Sequence, residues 1–314
     1  MNGNGAVLAP ESADAPTEHL AVLGSPIAHS KSPAIHLAAY RELGLAWSYD
    51  RFELQPPELE DFLVGRAQGW RGFSVTMPLK EETHRLAAIL DPVAIESGVA
   101  NTLLRLDSDT QRWAAFNTDV GGLAAAVQRA GLDVTRTLVI GSGATAISAI
   151  LAARRLGARH VEILARNVDA ISELVARFAE TSEPGADTPL HVSGTPLDAV
   201  QTLVQGAPRV DARDGDPTLV ISTLPGPATA ALELPVELTR VPLFDVAYEP
   251  WPSPLASYWE AAGGSVHPGT EMLVEQALLQ VRIFMNGDPG IPLAGEDRVH
   301  AAMRAAADLP DMGG

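Results

Sequence analysis

Short apolar runs alternate with segments of helical periodicity in the first third of the chain. Residues 19–24 form an apolar run that ends in turn residues, and apolar positions recur with helical spacing over 33–43 before a glycine. The alternation continues to a helix predicted over 78–90, and two further runs over 101–106 and 112–116 are typical of a hairpin. These patterns predict an α/β unit that has its own sheet.

The alternation becomes more regular after residue 119. A helix is predicted over 119–130, a continuous apolar strand over 137–140, and an Ala-rich helix up to Leu156. Further strands are predicted over 161–164, 219–222, 243–246 and 265–267. Strands and helices in this order are typical of a doubly wound parallel sheet. We therefore predict a second α/β unit, of Rossmann type, from about 119 to 268.

Composition narrows the class of function. The chain has 314 residues, enough for two domains, and its formal net charge of −17 opposes binding to nucleic acid or to an anionic membrane surface. The absence of cysteine excludes disulfides, thiolate metal sites and a cysteine nucleophile, and it fits a reducing cytosol. We therefore expect a cytoplasmic protein that binds small molecules, has no metal site, and takes any redox chemistry from a bound cofactor.

The segment 141–146, Gly-Ser-Gly-Ala-Thr-Ala, joins the apolar strand to the Ala-rich helix. Glycines allow the tight turn, and backbone N–H groups at the positive end of a helix attract a pyrophosphate. Ala146 stands where the dinucleotide fingerprint has its third glycine, a variation that the fingerprint permits. Dinucleotide binding is favoured over an ordinary glycine turn because a strand precedes the segment and a helix follows it. The loop residues predicted to bind are Gly141, Ser142, Gly143, Ala144 and Thr145.

Arg166 and Asn167 follow the next strand, where an NAD site usually carries an Asp or Glu for the ribose hydroxyls. A guanidinium can pair with a 2′-phosphate and offers no acceptor to an unphosphorylated ribose. NADP is therefore predicted in preference to NAD. The alternative is a solvated arginine at the end of a strand.

Two serines precede the first predicted helix of the chain. Alternate residues of an extended segment point the same way, so Ser30 and Ser32 can both donate to one anion near the helix N-terminus. A small carboxylate would fit such a site. The alternative is that Ser32 only caps the helix that Pro33 opens.

Lys80 is one of only two lysines, the other being Lys31, in a chain with twenty arginines. It lies in the first turn of a predicted helix, where a positive charge is electrostatically unfavourable, and it follows Thr76 at a strand end. An amine in that place suits proton transfer, which a guanidinium does not. Asp119, thirty-nine positions later, opens another helix as either a cap or a carboxylate partner. No spacing argument joins the two residues, so only the fold can bring them together.

Seven segments resemble, in order, the motifs of the shikimate dehydrogenase family: GSPIAHSKSP, GFSVTMPLK, SGVANTL, FNTD, GSGATA, DVAYEPWPSPL and EMLVEQA. The resemblance implies the NADP-dependent, reversible reduction of 3-dehydroshikimate to shikimate by hydride transfer, a step of aromatic amino-acid biosynthesis. It implies a Rossmann-type NADP-binding domain over 119–268, a separate α/β substrate domain over 19–118 and 269–290, and a cleft between them. Flexible tails are expected over 1–18 and 291–314, and a homodimer is expected.

The resemblance also implies roles for individual residues. Lys80 and Asp119 would form the acid–base pair. The substrate-binding residues would be Ser30 and Ser32 at the carboxylate, with Thr76, Asn101, Tyr248 and Gln276 around the ring and its hydroxyls. The cofactor-binding residues would be the glycine loop at the pyrophosphate, Arg166 at the 2′-phosphate with its neighbour Asn167, and Val246 and Gly269 at the nicotinamide side.

Three positions depart from the family pattern. Ser74 replaces a common Asn, Ala165-Arg166-Asn167 replaces Asn-Arg-Thr, and Pro268-Gly269-Thr270 replaces Asp-Gly-Leu. The last two concern how the phosphate and the nicotinamide are held.

Two other functions stay open. One is a quinate or quinate/shikimate dehydrogenase that uses NAD. Quinate-preferring enzymes related to this family tend to have Thr at the second serine position, so the resemblance implies that Ser32 favours shikimate. The other is a non-catalytic sensor that binds shikimate-like ligands and regulates a partner. The presence together of Lys80, Asp119 and the glycine loop argues against the sensor, which has no need of hydride chemistry.

Overall fold

The computed structural model describes residues 17–66, 69–106, 112–179, 190–199 and 215–310. These residues form two six-stranded sheets with helices packed on them. Most of the predicted N-terminal tail and the turn of the predicted hairpin lie outside the described residues. None of the helices in the described ranges is long and apolar enough to cross a membrane.

The first sheet has strand order β2-β1-β3-β5-β6-β4. Its strands are β1 (Glu18–Gly24), β2 (Trp47–Glu53), β3 (Trp70–Val75), β4 (Ile89–Leu90), β5 (Thr102–Arg105) and β6 (Trp113–Phe116). Strand β1 runs parallel to β2 and β3, whereas β5 runs antiparallel to its neighbours β3 and β6. The helices of this part are α1 (Ser32–Glu42), α2 (Leu59–Val64), α3 (Lys80–Leu86) and α4 (Pro92–Ser97).

The second sheet is entirely parallel, with strand order β12-β11-β10-β7-β8-β9. Its strands are β7 (Arg136–Ile140), β8 (His160–Ala165), β9 (His191–Pro196), β10 (Leu219–Ser222), β11 (Leu243–Asp245) and β12 (Val266–Pro268), and its helices are α5 (Asp119–Arg129), α6 (Ala144–Arg155), α7 (Val168–Ala179) and α8 (Pro254–Ala261). The order in which the strands follow one another reverses at β7: β8 and β9 lie on one side of it, and β10, β11 and β12 lie on the other. Sheets of this class bind ligands at the crevice between the two halves, here between β7 and β10. The predicted α/β class with a Rossmann-type sheet is confirmed.

Helix α9 (Gly269–Asn286) returns from the second sheet to the first, where it contacts α1, α5, β3 and β5. Its apolar side chains, among them Val274 and Phe284, share a core with Leu20 of β1. The crossing with α5 is so close that a Cβ atom at Gly122 would lie 2.6 Å from the backbone nitrogen of Gln276. The glycine is therefore needed for α9 to lie deep between the two sheets.

The C-terminal segment corrects one prediction. Residues 296–306 form helix α10 (Glu296–Ala306), so the flexible tail predicted over 291–314 is wrong for this part. Val299 and Met303 are buried against α1, and Arg304 makes an ion pair of 2.5 Å with Glu271 on α9. The sequence pattern did not reveal this helix because Val299 and Met303 are its only large apolar residues and much of its docking is ionic.

A second correction concerns the helix predicted over 78–90. Helix α3 ends at Leu86, Ala87 is extended, and Ile89–Leu90 form the short strand β4, which pairs in parallel with β6. Asp91 then caps α4 by accepting from the backbone N–H of Ala94 at 2.8 Å. The apolar residues of β4 continued the helical pattern, which is why the boundary was not visible in the sequence.

Candidate active site

A cavity of about 190 Å³ lies where loops that follow strands of both sheets meet. Residues from the first sheet, the second sheet and α9 all line it. Every residue that the sequence predicts at the substrate or in proton transfer is among them: Ser30, Ser32, Thr76, Lys80, Asn101, Asp119, Tyr248 and Gln276.

Local structure explains how the first-sheet residues reach the cavity. Because β1 and β3 pair in parallel, the segments that follow them leave the same edge of the sheet. Ser30 comes from the segment after β1, and Thr76 follows β3 directly. The two segments touch: a Cβ at Gly24 would lie 2.4 Å from the Thr76 methyl carbon. Glycine at position 24 thus permits the close approach that narrows the cavity.

The Lys80 amine and the Asp119 carboxylate meet inside the cavity. Lys80 Nζ lies 2.5 Å from Asp119 Oδ2, and the two side chains are only 12% and 6% exposed. The other carboxylate oxygen, Oδ1, accepts from Asn101 Nδ2 at 2.8 Å. Thr118 holds the N-cap position of α5, so the carboxylate of Asp119 is engaged by side chains rather than in capping. A buried ion pair with a second hydrogen bond keeps a defined geometry.

The two serines lie together as expected, with one difference in detail. Both line the cavity, and Ser30 Oγ accepts from the backbone N–H of Ser32 at 3.3 Å. Lys31, not Ser32, occupies the N-cap position of α1, and no side chain caps that helix. The Ser32 hydroxyl is therefore not used as a cap and can face a ligand.

Tyr248 reaches the cavity from the second sheet. Burial raises the pKa of Tyr248, and a hydrogen bond with Ser30 of the first unit opposes part of that effect. A tyrosine phenol is protonated near neutral pH even at its ordinary pKa, and burial favours that form further. Its hydroxyl can therefore donate to a ligand in the cavity.

Sequence reasoning missed Gln280, which also lines the cavity. Gln276 and Gln280 are four residues apart on α9, so they lie on the same helix face. Both are buried, with exposed fractions of 7% and 1%. Two glutamines at helical spacing in a largely apolar helix are the sequence signal that could have pointed to Gln280.

The glycine loop lies at the reversal point between β7 and β10. Gly141 has φ +122°, and a Cβ there would lie 2.3 Å from Thr223 Oγ1, so backbone and space both require glycine. A Cβ at Gly143 would meet nothing within 4 Å. Gly143 is the N-cap of α6, followed by Ala144 and Thr145 in the first turn. The open space beside the helix N-terminus fits a pyrophosphate.

A second cavity, of about 500 Å³, extends from this loop along the second sheet. Gly141, Ser142, Arg166 and Asn167 line it, and the side chain of Arg166 is exposed there. Asn167 Oδ1 accepts from the backbone N–H of Asp169 at 3.0 Å, which caps α7 and leaves only the amide nitrogen of Asn167 for a ligand. The cavity suits the adenosine half of a dinucleotide with its phosphate at Arg166.

A third cavity, of about 580 Å³, joins the other two. It shares Thr145, Val246 and Tyr248 with the first cavity and Leu224 with the second. Gly269 touches the backbone of Val246 at the wall of the first cavity, where a Cβ would lie 2.0 Å from the Val246 carbonyl oxygen. The three cavities form one groove from Arg166 to Lys80, and its lining fits an extended dinucleotide.

Comparisons with known proteins agree with this geometry. A family model described as the shikimate dehydrogenase substrate binding domain matches residues 22–103. The shikimate dehydrogenase (NADP(+)) of Anaeromyxobacter sp. (strain Fw109-5) is 32% identical over 267 residues, which are 84% of this chain and 89% of that protein. The pentafunctional AROM polypeptide of Scheffersomyces stipitis is 27% identical over 287 residues, and the chain spans only 17% of that longer protein.

Solved structures are similar over nearly the whole chain. Mycobacterium tuberculosis shikimate dehydrogenase is 36% identical, with a TM-score of 0.73 over 92% of this chain and 99% of that chain. Shikimate 5-dehydrogenase from Thermus thermophilus, solved in complex with NADP(H) and shikimate, is 26% identical, with a TM-score of 0.71 over 92% and 99% of the two chains. Sequence identity above 30% across both sheets and the cleft shows that the chain belongs to the shikimate dehydrogenase family.

Proposed function

We propose that this chain is an NADP-dependent shikimate dehydrogenase, an oxidoreductase that interconverts 3-dehydroshikimate and shikimate. The observation that carries the proposal is the buried pair of Lys80 and Asp119, at 2.5 Å, in a cavity that opens into a groove fitting a dinucleotide. A lysine amine beside a carboxylate is a group that can give and take a proton at a carbonyl oxygen.

The substrate would bind with its carboxylate at Ser30 and Ser32. Both hydroxyls line the cavity, and the start of α1 adds the positive end of its dipole. Polar side chains on the remaining walls would form hydrogen bonds with the ring hydroxyls: Thr76, Asn101, Tyr248 and Gln276. Binding of the carboxylate away from Lys80 fixes the ring so that one hydroxyl or keto group faces the amine.

The hydride chemistry would be supplied by bound NADP: oxidation would move a hydride from the carbinol carbon of shikimate to the nicotinamide, and reduction would return it to the ketone carbon. The loop from Gly141 to Thr145 would hold the pyrophosphate and Arg166 the 2′-phosphate, with Asn167 beside it. Val246 and Gly269 would border the nicotinamide.

Proton transfer belongs to the chain's own residues. In reduction, the Lys80 ammonium gives a proton to the oxygen of the substrate; in oxidation, the neutral amine takes the proton of the hydroxyl. Asp119 accepts from Lys80 Nζ, so it orients the amine and stabilises the ammonium that oxidation produces. The low exposure of both side chains keeps water from competing for the proton.

Steady-state kinetics with shikimate or quinate and with NADP or NAD test the proposal. We expect the highest kcat/KM for shikimate with NADP, because Ser32 and Arg166 favour that pair. A higher kcat/KM for quinate with NAD would instead establish the quinate dehydrogenase. Tight binding of shikimate without any reduction of NADP would establish the sensor.

Arg166→Ala tests the cofactor assignment. Loss of a charged hydrogen-bonding partner of a phosphate costs about 1.5–3 kcal/mol, so KM for NADP is expected to rise about 10- to 100-fold while KM for NAD stays the same. Arg159→Ala is the matched control, because Arg159 is an exposed arginine just before β8 begins, at the other end of the strand. An equal rise in KM for both cofactors would contradict the assignment of Arg166 to the 2′-phosphate.

The proposal includes the location of the protein in the cell and its oligomeric state. A location in the cytoplasm, in aromatic amino-acid biosynthesis, is supported by the absence of cysteine and by the reducing chemistry of that compartment. A homodimer is part of the same proposal.

A further inference from the structure

A buried polar network lies directly behind the substrate cavity, and Gln280 is at its centre. Gln280 Oε1 accepts from Ser74 Oγ at 2.7 Å and faces His36 Nε2 at 3.2 Å. Gln280 Nε2 donates to the Asn101 carbonyl oxygen at 3.1 Å and to Thr102 Oγ1 at 3.0 Å. An amide side chain has two donor hydrogens and two acceptor lone pairs, so all of its capacity is used within the protein. Gln280 therefore has none left for a substrate hydroxyl, although it lines the cavity.

The residues behind Gln280 determine which way its amide points. His36 is fully buried, and burial lowers the pKa of His36 to about 3, so the ring is neutral. An amide oxygen can only accept, so His36 Nε2 carries the ring hydrogen that faces Gln280 Oε1, and His36 Nδ1 is left to accept from the Tyr40 hydroxyl at 3.3 Å. Tyr49 donates to Ser74 Oγ at 2.6 Å, which directs the Ser74 hydrogen toward Gln280. The donors His36 and Ser74 thus fix the position of the Gln280 amide oxygen.

The other end of Gln280 leads to the proton-transfer pair. Thr102 Oγ1, which accepts from Gln280, donates in turn to Asn101 Oδ1 at 2.9 Å. Asn101 Oδ1 also accepts from the backbone N–H of Thr118 at 2.9 Å. Because both donors lie at Oδ1, Asn101 Nδ2 is the atom that faces Asp119 Oδ1 at 2.8 Å. A reversed Asn101 amide would put an oxygen against the carboxylate of Asp119, and the two would repel.

We infer that Gln280 is a positioning residue for proton transfer: through Thr102 and the Asn101 carbonyl it holds Asn101 in place, together with the backbone N–H of Thr118, and Asn101 in turn holds the carboxylate that binds Lys80. The inference rests on the proposed function only in taking Lys80 and Asp119 as the proton-transfer pair. It also gives Ser74 a role, at a position that the family resemblance marks as a departure. The short serine side chain leaves room for Gln280 to reach in from α9 and supplies the donor that the amide oxygen needs.

Two variants test this chain of hydrogen bonds. Thr102→Val keeps the shape of the side chain and removes the hydroxyl that joins Gln280 Nε2 to Asn101 Oδ1, and Gln280→Met removes the amide itself. We expect each to lower kcat about 10- to 100-fold, since misplacement of a proton-transfer group is costly, with KM for shikimate changed less than about threefold. If Gln280→Met does not fold, Thr102→Val carries the test alone, because it breaks one link only.

Thr137→Val is the matched control. Thr137 is also a buried strand threonine, 2% exposed, but it donates to the Val134 carbonyl oxygen at the far end of β7. Thr137→Val should lower the melting temperature about as much as Thr102→Val does, and it should leave kcat unchanged. If Thr102→Val and Gln280→Met lower the melting temperature but keep the wild-type kcat, Gln280 is only structural and the inference is overturned.

The two lysines allow a readout that does not depend on activity. In protein labelled with ¹³C at the lysine Cε, NMR should show one Hε–Cε signal from Lys80 and one from Lys31, which pairs with Asp308 outside the cavity. Thr102→Val should shift the Lys80 signal and leave the Lys31 signal in place; an unchanged Lys80 signal would overturn the inference. If the wild-type protein does not reduce NADP with shikimate, the proposed function fails, and the Lys80 signal still reports whether Gln280 positions the pair.

Discussion

Replacement of Lys80 by alanine is expected to lower kcat by about 10²- to 10⁴-fold, the usual contribution of a positioned acid–base group. The reason is that Lys80 Nζ is held at 2.5 Å by Asp119 inside the cavity, so no solvent-exposed amine can replace it. KM for shikimate should change by less than about threefold, because the serines proposed to bind the carboxylate are untouched. Steady-state rates of NADP reduction by shikimate give both constants.

The second lysine provides the control for this variant. Lys31 makes its ion pair with Asp308, which is 84% exposed, and its side chain does not line the cavity. Exposed ion pairs contribute little, so Lys31→Ala should keep kcat within about twofold of the wild type. If Lys80→Ala instead retains near-wild-type turnover, the role assigned to Lys80 is wrong.

Gly269→Ala is expected to have the next largest effect, on both stability and turnover. A Cβ at this position would lie 2.0 Å from the carbonyl oxygen of Val246 and 2.3 Å from its carbonyl carbon, and neither backbone atom can move alone. Overpacking of this kind costs about 1–3 kcal/mol. Displacement of the wall beside the nicotinamide should lower kcat/KM for NADP about 100-fold. Thermal melting and steady-state kinetics measure the two effects separately.

Gly65→Ala is the control for the glycine change. Gly65 has φ −70°, and its added Cβ would meet its nearest atom at an ordinary 3.5 Å. This variant should match the wild type in both measurements. Wild-type cofactor kinetics in Gly269→Ala would show that the contact with Val246 does not shape the cofactor site.

The sequence shows which residue types could form the site, but it does not show that they lie close together in space. Lys80 follows β3 and Asp119 follows β6, and no local pattern joins them. The sheet does so, because β5 lies between β3 and β6 and is antiparallel to both, so β3 and β6 run in the same direction. The segments after β3 and β6 therefore emerge at the same edge, and Asn101, just before β5, lies there too. Hydrophobic periodicity predicts strands, whereas strand order depends on long-range packing.

The parts that sequence analysis missed have a common cause. Helix α10 docks partly through the ion pair of Arg304 with Glu271, and a charged residue in a sequence gives no sign that it will be buried. The only sequence signal for Gln280 is its four-residue spacing from Gln276 in a buried helix, and that spacing does not show what Gln280 contacts. Its importance comes from four partners on α1, β3 and β5 and beside them, all brought together by the tertiary fold.

In the proposed reaction, the Lys80 amine and the nicotinamide act on the same carbinol of shikimate. A single turnover with NADP and shikimate deuterated at the carbon being oxidised follows that carbinol, with the mass of the NADPH product as the readout. We predict that the wild-type protein forms NADPH carrying one deuterium, and that Lys80→Ala forms the same labelled product far more slowly. NADPH without the label, or no NADPH at all, would contradict the account.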